Sequence, residues 1–210
     1  MIILHDYWRS SSAYRVRIAL NLLGEPWQSR PVDLLKDEQT AGDNLARNPQ
    51  GLVPTLQIDG LRLTQSLAIV EYLDETRQAG FLPKDAAGRA RVRALAMAVA
   101  MEIQPVCNLR VMAHAVAASG GAITRDGWQR HFIGRGLADL EAMLADGQGG
   151  FCHGDRVSLA DICLVPQVYN AERWGVDMTA MPRLRAIHAR LSDLPAIAAA
   201  HPDRFAPPPG

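Results

Sequence analysis

The chain holds 210 residues, 48% of them apolar, and balances 22 lysines and arginines against 22 aspartates and glutamates. That length is enough for one large core or two modest ones. The even charge gives no global field toward nucleic acid or an anionic membrane surface, so neither is expected as a partner and an anionic substrate has to be met by local arginines. The chain begins MIILHDYW without a basic, apolar leader, and no stretch approaches the roughly 18 apolar residues of a membrane span. A soluble, unexported protein is expected. Three cysteines, Cys107, Cys152 and Cys163, are odd in number and lack CxxC spacing, which fits a reducing cytoplasm. His5, His114, His131, His153, His188 and His201 show neither HExxH nor clustered spacing, and there is no glycine-rich phosphate loop, so no metal and no nucleotide is expected.

The short apolar run at 2 to 7 predicts a strand. A polar break at Arg9-Ser10-Ser11-Ser12 follows, then Val16, Ala19, Leu20 and Leu23 at i, i+3, i+4 and i+7 predict a helix over about 11 to 23, capped by serine and stopped at Gly24. A second strand is predicted over 28 to 34. After a polar stretch, residues 53 to 58 and 61 to 63 flank Asp59-Gly60, a preferred tight-turn pair, and predict a hairpin. Ser66 is placed to cap a third helix through Thr76, with Leu67, Ile69, Val70 and Leu73 for burial and Glu71 and Glu75 outward.

Gly80 and Pro83 interrupt the periodicity and the composition turns alanine-rich, which sets a domain boundary between Gln78 and Asp85. The expected plan is an α/β domain over 1 to 80 and an all-helical domain over 86 to 210. A very long helix is predicted over 86 to 118, bent or broken near Pro105, and another over 124 to 145. Ser158-Leu-Ala-Asp161 carries a capping-box signature and opens a helix to 173. A further helix is predicted over 182 to 192, then a non-helical tail at Pro207 to Pro209.

Five separated motifs resemble the zeta-class glutathione transferases: Arg9-Ser-Ser-Ser-Ala-Tyr-Arg15-Val-Arg-Ile-Ala-Leu20; Asn48-Pro-Gln-Gly-Leu-Val-Pro54; Gln65-Ser66-Leu-Ala-Ile-Val-Glu71; Ile103-Gln104-Pro105 with Asn108-Leu109; and Ser158 to Arg173. The resemblance spans essentially the whole chain. It implies the glutathione transferase fold, a thioredoxin-like α/β domain followed by an all-α domain. It also implies glutathione as cofactor, a homodimer, and a ligand site facing the cleft between the domains. The implied reaction is cis–trans isomerisation of a maleyl keto acid, maleylacetoacetate of tyrosine catabolism or maleylpyruvate. Conjugation or dehalogenation of a halogenated acid is the alternative, and a non-catalytic assembly module the second. Ser12 stands where the family usually has cysteine and Tyr14 where tryptophan is common.

In the serine turn, Ser10, Ser11 and Ser12 are helix caps on the bland account. On the resemblance Ser10 stabilises the glutathione thiolate, aided by Ser11 and with Ser12 as a further cofactor contact, while Arg15 adds positive potential or, with Arg17, pairs structurally across the domain interface. The resemblance further implies a cis Val53–Pro54 bond facing the peptide, although trans is the general default. Gln65 and Ser66 at a helix start suit the γ-glutamyl carboxylate, with Gln39 as a further cofactor contact. Gln104 and Asn108 lie four apart on one helical face and so can point together toward the interdomain cleft as cofactor contacts, a solvated polar face being the plain alternative. Arg9, Arg110 and Arg173 are the candidates for gripping a dicarboxylate, because the guanidinium fork pairs two oxygens at once; scattered surface arginines are the plain alternative. Asp161 is expected to be structural.

Overall fold

The computed structural model describes residues 1–208, so Pro209 of the predicted tail lies outside the described residues. Internal contacts divide the chain into two compact units, Met1–Gly80 together with the segment from Asp193 onward, and Phe81–Ser192.

In the first unit β1 (Ile2–Asp6), α1 (Ser11–Leu23) and β2 (Trp27–Pro31) form a parallel βαβ unit. Strand β2 stops earlier than predicted: Asp33 accepts from the Leu35 N–H at 2.9 Å and caps a 3-10 turn, drawing the chain off the sheet. The polar stretch hides α2 (Gly42–Arg47), six residues whose one buried side chain is Asn44, so no apolar period announced it. Strands β3 (Thr55–Ile58) and β4 (Leu61–Thr64) make the predicted hairpin, with Asp59 and Gly60 both at positive φ, the geometry that favours Asp-Gly. The sheet order is β2-β1-β3-β4, with β3 antiparallel to β1.

Helix α1 packs against α3 (Ser66–Arg77). Their buried Val16, Ile18, Leu20, Ile69, Val70 and Leu73 meet Leu4, Leu56 and Ile58 of the sheet to form the core. Gly24 closes α1 in the left-handed region at φ 68°, as its position after the last apolar residue predicted.

In the second unit α4 (Ala86–Met97) runs without a break into a π-helical segment, Ala98–Ile103. Pro105 then interrupts the hydrogen bonding and α5 (Leu109–Ala118) starts afresh. Helices α6 (Arg125–Met143), α7 (Leu159–Arg173) and α8 (Pro182–Ser192) complete it. The Ser158–Asp161 capping box is present at the start of α7. The buried Asp161 carboxylate accepts from the Ser158 N–H at 2.8 Å, the Ser158 hydroxyl at 2.7 Å and the Cys152 N–H at 2.8 Å. No helix among the described residues is long and apolar enough to cross a membrane.

The expected second domain is corrected at its end. From Asp193 the chain packs with the first unit: α9 (Pro195–Ala199) lies on α1 and buries Ile197, and Asn21 donates to the Ala196 carbonyl at 3.1 Å. Phe205 stacks on Trp27 with ring centroids 5.6 Å apart. No domain-scale periodicity marks five helical residues and one aromatic, so composition alone assigned them to the nearest helical neighbour.

Candidate functional site

Sheet register brings the three sequence-predicted elements of the first unit to one place. His5 on β1 lies opposite Thr55 on β3, and Thr55 opposite Thr64 on β4, with both pairs antiparallel. The turn after β1, the residues before β3 and the residues after β4 therefore all leave the sheet at the same end. Ser10, Val53–Pro54 and Gln65–Ser66 sit at that end, together with the N-termini of α1 and α3.

Ser10 is the N-cap of α1 and its Oγ accepts from the Ala13 N–H at 3.2 Å. Capping occupies only acceptor capacity, so the hydroxyl hydrogen can still be donated to a ligand. Ser11 and Ser12, partly exposed, form the first turn of α1. Beside them Arg9 donates to the Tyr7 hydroxyl at 3.1 Å and lies over the Trp8 ring at 4.5 Å.

The Val53–Pro54 bond is cis. Asn48 shapes the approach to it, donating to the Leu52 carbonyl at 3.0 Å. The Val53 N–H and carbonyl find no hydrogen-bond partner among the described residues, which leaves a donor and an acceptor on offer to an extended peptide.

Ser66 does not cap α3, contrary to expectation. It is the first helical residue, and the cap position belongs to Gln65, held at φ 67° and making no side-chain cap bond. A non-glycine residue there costs roughly 1–3 kcal/mol and persists only where its surroundings impose it. The Gln65 amide donates to the Gln50 Oε1 at 2.8 Å, a partner the sequence did not single out. The buried Ser66 Oγ instead accepts from the Arg15 guanidinium at 3.1 Å. Arg15 is 1% exposed; its charge and the uncapped N–H groups at the start of α3 make this a place for an anion.

The bond from Arg15 to Ser66 lies within the first unit, and so do those of Arg17 to Asp6, Trp8 and Ala200. Arg17, also fully buried, pairs with Asp6 at 2.8 Å and donates to the Trp8 carbonyl at 2.8 Å and the Ala200 carbonyl at 3.2 Å. Gln39 lies in a second 3-10 turn, Glu38–Thr40, and donates to Asp37 at 3.2 Å.

In the second unit, Gln104 and Asn108 are not on one helical face. Gln104 ends the π segment, its N–H reaching the Val99 carbonyl at 3.0 Å, and Asn108 caps α5, accepting from the Arg110 N–H at 3.1 Å. The intervening Pro105 breaks the continuity their spacing presupposed. Arg110 and Arg173 are exposed; Arg173 ends α7, its guanidinium 5.3 Å from the Trp174 ring. Among the described residues no group of three or more metal-ligating side chains is placed to hold an ion. The Cys107 thiol is buried and pushed up to about 12, and burial raises that of Cys152 as well, so neither is an activated nucleophile.

A thioredoxin-like unit with a cis-proline turn, a serine cap and an uncapped, arginine-backed helix start, joined to an all-helical unit, is the construction of a glutathione-using transferase. Residues 9–76 match the glutathione S-transferase N-terminal domain and residues 124–190 its C-terminal domain. A maleylacetoacetate isomerase of Rhizobium meliloti (strain 1021) is 59% identical to this chain, with 98% of each covered. The holo structure of a maleylpyruvate isomerase, a bacterial zeta-class transferase, is similar with a TM-score of 0.92 at 39% identity, covering 99% of this chain and 100% of that one. Maleylacetoacetate isomerase from Anaeromyxobacter dehalogenans 2CP-1, solved with dicarboxyethyl glutathione and citrate in the active site, is similar with a TM-score of 0.88 at 45% identity, covering 100% and 98%. The chain belongs to the glutathione S-transferase family, in its zeta class with the maleylacetoacetate isomerases.

Proposed function

We propose that the protein is a glutathione-dependent cis–trans isomerase that converts a maleyl keto acid, maleylacetoacetate or maleylpyruvate, to its fumaryl isomer in the cytoplasmic breakdown of tyrosine or related aromatic compounds. The observation that carries this proposal is the shared end of the sheet, where a serine hydroxyl, an unpaired extended peptide unit and an anion-ready helix start meet. These residues fit a γ-glutamyl tripeptide: its carboxylate at Gln65 and Ser66 over Arg15, its backbone along Val53 before Pro54, its sulfur at Ser10. Gln39, Gln104 and Asn108 are assigned as further polar contacts. The glutathione and dicarboxyethyl group in the Anaeromyxobacter relative support both the cofactor and a dicarboxylic substrate class.

A cis double bond conjugated to a carbonyl rotates only after a nucleophile has added to it, and that nucleophile must leave again. When bound, glutathione supplies such a nucleophile as its thiolate. Ser10 donates its hydroxyl to the sulfur, and the N-terminus of α1 favours negative charge there by about 0.3–1 kcal/mol. Ser11 and Ser12 shape the turn, and Arg15 acts through Ser66. Arg9, Arg110 and Arg173 are assigned to the substrate carboxylates.

A homodimer is assigned as the assembly, and exposed apolar side chains such as Met101 are compatible with it. Sedimentation as a monomer at micromolar concentration counts against it.

The decisive assay supplies each maleyl keto acid with and without glutathione and follows the product by NMR. The fumaryl isomer should form with glutathione undiminished. Stoichiometric loss of glutathione into a thioether would replace isomerisation by conjugation.

A further inference from the structure

We propose that Arg17 is a positioning residue for the Trp8–Ser10 turn, and that the carboxy-terminal segment from Ala200 to Phe205 acts on that turn through it. The proposal builds on the assignment of Ser10 above.

The Arg17 guanidinium has no exposed surface and its three nitrogens serve three separate pieces of chain. Nη1 donates to Asp6 at the end of β1, Nη2 to the Trp8 carbonyl in the turn, and Nε to the Ala200 carbonyl, 183 residues away in sequence. Asp6 is held on its other oxygen by the Ser29 hydroxyl at 2.7 Å, so the acid end of the network is fixed to β2. The Phe205 ring lies 4.6 Å from the guanidinium carbon and stacks on Trp27. A planar fork bonded along several edges cannot rotate to satisfy one partner without leaving the others.

Only Arg9 separates the Trp8 carbonyl from Ser10. The turn's backbone is held by the Ser10 N–H donating to the Tyr7 carbonyl at 2.9 Å, by the Ser10 carbonyl accepting from the Tyr14 N–H at 2.9 Å, and by the Trp8 carbonyl accepting from Arg17. The first two hold Ser10 itself, and Arg17 alone of these three fixes the Trp8–Arg9 peptide plane, so releasing it frees that plane to rotate and loosens the approach to the hydroxyl assigned to the sulfur. Arg17 itself touches no substrate or cofactor. Its position within the first helix hides this, because a buried arginine at a core position reads in sequence as a surface one.

The test uses the full chain with Arg17→Lys and Phe205→Ala. Lysine keeps the charge but offers a single nitrogen, which cannot reach all three partners. Phe205→Ala leaves every hydrogen bond in place and removes only the ring against which the guanidinium is set. Amide hydrogen exchange by NMR should show the Ser10 N–H exchanging at least tenfold faster in Arg17→Lys and measurably faster in Phe205→Ala, with the β3–β4 hairpin amides unchanged. The thiol pKa of bound glutathione, followed by thiolate ultraviolet absorption, should rise by about one unit in Arg17→Lys, a tenfold smaller thiolate fraction below the pKa. Unchanged Ser10 exchange in both variants overturns the proposal. Faster exchange with an unaltered thiol pKa overturns its functional half. Should Arg17→Lys not fold, Phe205→Ala decides by the same two measurements. A wild-type chain that binds no glutathione defeats the function proposed above instead, while the exchange arm still decides the role of Arg17.

Discussion

Two glycines on α6, two residues apart, should respond to alanine with opposite signs. A Cβ at Gly134 would meet Val176 at 3.5 Å, an ordinary contact. A Cβ at Gly136 would lie 2.3 Å from Cγ1 and 2.6 Å from Cδ1 of Ile103, a residue 2% exposed in the π segment. Alanine gains about 0.5–1 kcal/mol over glycine in a helix interior, from lower backbone entropy in the unfolded chain. Gly134→Ala should therefore stabilise by about that amount. At Gly136 the same gain is opposed by overpacking of about 1–3 kcal/mol, because Ile103 is closed in by its neighbours and followed within two residues by Pro105. A 2.3 Å contact places the overpacking in the upper part of that range, about 2–3 kcal/mol, so the net loss should be about 1–2.5 kcal/mol and the two variants about 2–3 kcal/mol apart. Urea unfolding followed by circular dichroism, with the slopes compared alongside the midpoints, measures this. Ile103→Ala removes both clashing carbons and leaves Cβ at 3.6 Å, so in the double variant the loss at 136 should disappear. Equal effects at 134 and 136, or no coupling between 136 and 103, would refute the argument that Gly136 exists to admit Ile103.

Asp161→Ala should cost about 3–5 kcal/mol, since it leaves the Ser158 and Cys152 N–H groups buried without an acceptor; Ser158→Ala should cost about 1 kcal/mol in the same unfolding assay. Asp59 is held down to about 2, first by the hydrogen bond from Arg77 and then by that from Tyr72. A lowered carboxyl pKa stabilises the fold fully above the unfolded value, near 3.9, and that contribution is lost as pH falls through the folded one. Asp59→Asn should therefore be less stable than wild type at pH 6 and converge with it toward pH 2, as thermal unfolding across that range will show. Ser10→Ala should lower turnover at saturating glutathione, and Arg173→Ala should raise KM for the keto acid, each by roughly 10 to 150-fold, as for one charge-assisted bond of about 1.5–3 kcal/mol. Full turnover in the first, or an unmoved KM in the second, would remove that residue from its role. None of the three buried cysteines should react with a thiol reagent in the native protein at pH 8, whereas all should in denaturant; rapid labelling of one would contradict their burial.

How far such roles could be read from sequence depends on the range over which each residue is constrained. Helix α1, its Gly24 stop, the Asp59-Gly60 hairpin and the Ser158–Asp161 box were legible because their causes lie within a few residues: an apolar period, a left-handed glycine, a turn pair, a reciprocal cap. Ser10 and Ser66 were both legible as cap candidates from local chemistry, and only Ser10 is one. Serine before an apolar run looks like a cap in both places, yet Ser66 is withdrawn into the helix to accept from an arginine 51 residues earlier. Gln104 and Asn108 failed for the related reason that a spacing of four presumes continuous α-helix. A π segment and a proline removed that premise, and Ile103 of that segment packs where a Cβ at Gly136 would clash with it. The carboxy-terminal segment is the extreme case. Nothing local in Ala200 or Phe205 points to α1, and their partner there is an arginine whose burial no periodicity would assign. A buried guanidinium is tolerable only where its donors are nearly all met, so Arg17 can sit in the core only if distant pieces of chain converge on it. The residues least legible in the sequence are therefore those whose environment is built from the most distant pieces of chain, as where the carboxy-terminal segment packs on α1.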